Sequence, residues 1–79
     1  MIVDDEPDNL RIFKIALEDS GLVVDAFNSS MAALSAFKSN YYDVLIFDIM
    51  MPIMNGYELY EKIKKMDHKV KVCLLTAYG

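Results

Sequence analysis

The sequence predicts an α/β domain, a three-layer parallel sheet covered by helices on both faces. Three observations predict it. Short apolar runs alternate with amphipathic stretches in the order βαβαβαβ, and helical crossovers between strands require parallel pairing. Apolar residues make up 54% of only 79 residues, an excess that strands buried on both faces account for. Neither a repeat nor a low-complexity segment interrupts the chain, so residues 1–79 read as one unit.

The elements follow in order. Met1–Val3 is the tail of a first strand. Pro7 starts a helix, because its missing N–H would be unpaired in the first turn anyway. Leu10, Phe13 and Leu17, with Ile12 and Ala16, recur at three- and four-residue spacing, and Ser20-Gly21 ends the helix with a left-handed cap. Leu22–Ala26 reads as a second strand. Ser29 or Ser30 caps a second helix that buries Ala33, Leu34 and Phe37. Tyr42–Phe47 is the third strand, Gly56–Met66 the third helix, and Lys69–Leu75 a fourth strand, apolar on both faces. A strand of that kind left at a sheet edge is a pairing site, so the chain reads as most of a domain.

The bulk numbers exclude several classes. A net charge of −4 argues against a general affinity for nucleic acid. No apolar run approaches the ~20 residues of a membrane span, and the N-terminus shows no secretory pattern. The single cysteine, Cys73, reads as a core residue of a reduced compartment, the cytoplasm. Lys62, Lys64, Lys65, Lys69 and Lys71 read as the wet face of the third helix and its exit. His68 reads as an exposed loop residue rather than a phosphodonor, and Met50, Met51 and Met54 as packing for the loop after Asp48.

The chemistry gathers at strand ends. Asp48 closes the apolar third strand and opens Asp48-Ile49-Met50-Met51-Pro52-Ile53-Met54-Asn55-Gly56, while Asp4 and Asp5 follow the first strand and Thr76 the fourth. In open α/β sheets ligands bind outside the carboxyl ends of the strands. If the first and third strands are neighbours, three carboxylates converge there, and a hard divalent cation, Mg²⁺ or Mn²⁺, relieves their repulsion. A metal-bound carboxylate is also a nucleophile toward a phosphoryl group.

Val3-Asp4-Asp5-Glu6, the Asp48-x-x-Met51-Pro52-x-x-x-Gly56 run and Leu75-Thr76-Ala77 resemble the receiver domain of two-component response regulators. The resemblance implies a flavodoxin-like sheet of order 2-1-3-4, truncated to about the first two-thirds of a typical receiver. It implies Asp48 as phosphoacceptor, and Asp5, Asp48 and the Met50 carbonyl as direct ligands of Mg²⁺. Asp4 would act through water, and Thr76 would be the switch hydroxyl. The implied partner is a histidine kinase or phosphotransfer protein, and the implied role is a switch rather than an enzyme. The lysine that ends a receiver's fifth strand is absent from these residues, as are the fourth and fifth helices. The second reading is therefore a fragment inactive in phosphotransfer that forms a homodimer through its fourth strand and uncovered face. A haloacid-dehalogenase-like phosphatase fits less well, because that family wants a second aspartate two residues after the nucleophile, where Met50 stands.

Overall fold

The computed structural model describes residues 1–75. Four parallel strands, β1 (Ile2–Val3), β2 (Ala26–Phe27), β3 (Val44–Asp48) and β4 (Lys71–Leu75), form one sheet in the order β2-β1-β3-β4. The connecting helices are α1 (Pro7–Asp19), α2 (Ser30–Ala36) and α3 (Gly56–Met66). The chain moves one way from β1 to β2 and the other way from β2 to β3. Right-handed crossovers therefore place α1 on one face and the two later helices on the other.

Each helix carries its own stop and start signals. Glu6 caps α1 by accepting from Asp8 N–H, with Pro7 in the first turn. Gly21 ends it at φ 90°: its N–H reaches the Glu18 carbonyl, and Leu22 N–H reaches that of Leu17. Ser29 Oγ accepts from Ala32 N–H at 3.3 Å and starts α2. For α3, Asn55 and Glu58 form a reciprocal capping box with bonds of 2.9 and 3.1 Å.

The core lies on the α2–α3 side. Val3, Leu45 and Phe47 of the sheet are fully buried against Ala33, Phe37, Leu59 and Ile63, with Met51, Met54 and Val70 at the margins. Val72 and Leu74 turn toward the same cluster. The opposite face is thinner. Although α1 forms as expected, none of its residues is buried, and Phe13 remains 40% exposed.

Five expectations need correction. The second strand is Ala26–Phe27 rather than Leu22–Ala26, because pairing needs a partner: only Ile2 and Val3 of β1 face it, in register with Ala26 and Phe27. The third strand starts at Val44 and extends through Asp48, and the fourth starts at Lys71; the parallel register Val44↔Lys71 to Asp48↔Leu75 fixes both. Cys73 is exposed, not core, because it alternates onto the α1-side face, which no helix covers over β4 among the described residues. Met50 is 63% exposed while Met51 and Met54 pack, so only two of the three methionines anchor the loop.

Other expectations hold. His68 is exposed, and its carbonyl accepts from Lys64 Nζ at 3.0 Å. The four other lysines of the cluster are exposed.

Candidate functional site

Parallel register assembles the site. Val3 pairs with Phe47, so Asp4, the next residue along β1, comes level with Asp48 at the end of β3. Asp4, Asp5 and Asp48 each offer a carboxylate oxygen, and these atoms all lie within 4.8 Å of one another. Asp4 is buried, Asp48 half-buried and Asp5 exposed, so the cluster runs from the sheet's end out to solvent.

Local hydrogen bonds aim the side chains. Asp4 Oδ1 accepts from Glu6 N–H at 2.9 Å, and Asp48 Oδ1 accepts from Met50 N–H at 3.2 Å. Each is a carboxylate held by the backbone two residues on, an arrangement that fixes the side chain to its own loop. Beyond Asp48, the Ile49 carbonyl accepts from both Met51 N–H and Gly56 N–H, and Ile49 N–H donates to the Leu75 carbonyl. The loop that follows Asp48 is thereby closed on itself and tied to β4.

Electrostatics mark the same place. Burial pushes the Asp4 carboxyl above its usual range, and the nearby charges of Asp48 and Asp5 push it the same way; the Glu6 N–H only partly opposes them. A cluster in which one acid already resists ionisation is a cluster short of positive charge. Its donors are oxygens alone, the set that suits a hard cation of the Mg²⁺ type.

The structure thus brings together three of the residues expected at the site, Asp4, Asp5 and Asp48, with Met50 on the adjoining loop. Thr76 lies outside the described residues. Sequence reasoning missed what Gly56 does. Its φ is not positive; its role is steric, because a Cβ there would stand 2.6 Å from the Asp48 carbonyl oxygen. The glycine four residues after Pro52 was visible as a motif member, but no local pattern reveals what it touches.

The comparisons with known proteins agree with this geometry. The family model described as response regulator receiver domain matches residues 1–79. The transcriptional regulatory protein PcoR of Escherichia coli is 31% identical over 77 residues, which cover 98% of this chain and 34% of PcoR. The chain therefore spans about a third of that relative's length. The response regulator TrrA of Thermotoga maritima, solved in complex with Mg²⁺ and BeF, superposes with a TM-score of 0.91 at 38% identity, over 99% of this chain and 68% of that one. The non-phosphorylated HemR receiver domain of Leptospira biflexa gives the same TM-score at 26% identity, over 96% and 61%. Sheet order, acid cluster and family match converge, and this chain belongs to the response regulator receiver domain family of two-component signalling.

Proposed function

We propose that this chain is a phosphoacceptor: Asp48 takes a phosphoryl group from the phosphohistidine of a histidine kinase or phosphotransfer protein, with Mg²⁺ held at the acid cluster. The observation that carries this reading is the convergence of Asp4, Asp5 and Asp48 within 4.8 Å at the carboxyl ends of neighbouring strands.

Asp5, Asp48 and the Met50 backbone carbonyl would hold the cation directly, and Asp4 through water. When bound, the cation offsets the negative charge of carboxylates and phosphoryl oxygens, so that a carboxylate can approach an anionic donor. The chain's own residues do the rest. One Asp48 oxygen accepts from Met50 N–H, which fixes the rotamer and leaves the other free to attack. In the transfer an Asp48 Oδ–P bond forms and the donor's P–N bond breaks, giving an acyl phosphate, and the released imidazole takes up a proton from water. Thr76 would donate its hydroxyl to a phosphoryl oxygen and report the modified state.

Receivers of this family are signalling modules, and this chain acts here as a switch rather than as a turnover enzyme. The self-association reading gains no support from the comparisons, whose matches are receiver domains. Labelling from acetyl phosphate with and without chelator tests the metal requirement. Labelling that stops on chelation and returns with Mg²⁺ is the expected result, and labelling indifferent to the metal would contradict this reading.

A further inference from the structure

We propose that the cleft between Met31 and Ile53 receives an apolar side chain of the phosphodonor protein, an inference that rests on the phosphoacceptor reading of Asp48. It starts from a residue that folding does not explain. Ile53 has φ 68°, a region that a β-branched side chain rarely adopts, and it is 91% exposed. Met54 N–H donates to the Pro52 carbonyl at 2.7 Å, closing a three-residue turn around it.

The turn itself has a cause. Met51 and Met54 are both buried, and only Pro52 and Ile53 join them, so the backbone must reverse there. That need selects a glycine or an asparagine, both of which suit positive φ. Among the described residues neither burial nor backbone geometry selects an isoleucine, which points to contact with something beyond them.

The surroundings say what that is. Ile53 and Pro52 form one wall of a cleft of about 180 Å³, and Met31, itself 48% exposed, stands with Asn28 on the other. Asp5 lines the same cleft and also belongs to the acid cluster, so the cleft opens directly beside Asp48. A phosphohistidine has to bring its phosphorus within bonding reach of Asp48. A protein donor of standard interface size covers about 800 Å² of its partner, a patch with a radius of roughly 16 Å. On a molecule of 30 × 27 × 22 Å, such a patch centred on Asp48 includes the adjoining cleft. A small-molecule donor needs none of it.

The test compares two donors on the same protein. Wild type, Ile53→Asn and Val23→Asn are phosphorylated by acetyl phosphate, and by a histidine kinase chosen because it phosphorylates the wild type. Val23 is 96% exposed and precedes β2, at the opposite end of the strands. The expected result is about a tenfold slower transfer from the kinase to Ile53→Asn, with acetyl phosphate labelling unchanged and Val23→Asn normal with both donors. Kinase transfer to Ile53→Asn at the wild-type rate overturns the inference, as does equal slowing with both donors, which would mean a damaged site. A change of oligomeric state in Ile53→Asn would assign the cleft to a second copy and overturn it too. A wild type that takes no label from acetyl phosphate or from any histidine kinase tried sinks the Asp48 reading itself.

Discussion

Gly56, the first residue of α3, packs so closely on Asp48 that a Cβ would lie 2.6 Å from the Asp48 carbonyl oxygen and 2.9 Å from Ile49 Cα. Both obstacles are backbone, so neither can rotate away. The residue that opens α3 therefore sets where the main chain carrying Asp48 runs.

Gly56→Ala should consequently lose about 1–3 kcal/mol of stability, the usual range for an overpacked site. It should also weaken Mg²⁺ binding, because relief moves the backbone of Asp48. Gly21→Ala is the control: its φ of 90° costs something, but nothing lies within 4 Å of the new Cβ, so metal affinity should be untouched. Urea unfolding and calorimetric Mg²⁺ titration separate the two effects. Equal metal affinity in Gly56→Ala and wild type would refute the steric account.

Asp4 makes stability depend on pH in a definite direction. Its carboxyl is held above the usual 3.8, so the folded chain binds that proton more tightly than the unfolded chain does. Its contribution is therefore present below 3.8 and lost as pH rises through the raised value. Without metal, Asp4→Asn should gain on wild type as pH rises across that window, and Asn can still accept from Glu6 N–H. Mg²⁺ at neutral pH should shrink the gap by stabilising wild type, by about 2.7 kcal/mol at a hundredfold excess over Kd. Asp67, shifted the opposite way by the N–H groups of Asn40 and Lys69, contributes to both proteins and cancels in the comparison. Parallel pH profiles for the two proteins would show that the Asp4 carboxyl is not raised by its burial and its acidic neighbours.

Tyr42 ties the starts of two strands together. Its hydroxyl donates to Asp25 Oδ2 at 2.9 Å, and burial together with that carboxylate raises the phenol to about 12. The stabilisation from this group is full below pH 10 and disappears as pH climbs through 12. In an ultraviolet titration one of the five tyrosines should ionise late, and Tyr42→Phe should remove that late step at a cost of about 1 kcal/mol. A wild-type titration in which no tyrosine ionises late would count against the bond.

Ile53→Asn should stabilise the fold by about 1 kcal/mol, the lower end of what a strained backbone position costs. Thermal unfolding reads it directly. A lower melting temperature would show that the isoleucine packs on something the exposed geometry does not display.

The acids were legible because their placement is local and then copied by register. An apolar strand followed by a carboxylate can be read twice along the chain, and parallel pairing of Val3 with Phe47 does the rest. The third helix was legible to the residue, since Asn55 and Gly56 open it and Asp67 ends it. Strand β2 was misplaced because Leu22–Val24 has strand composition but no partner to pair with. Cys73 was misread because composition gives a residue's preference for burial, not which face of the sheet is covered. The roles of Gly56 and Ile53 were illegible for a related reason, as both depend on what stands opposite in three dimensions.

The most direct test is intact mass after incubation with Mg²⁺ and acetyl phosphate, for wild type and Asp48→Asn side by side. The account predicts a single phosphoryl adduct on wild type and none on Asp48→Asn. A folded wild type with no adduct, or an adduct that persists in Asp48→Asn, would contradict it.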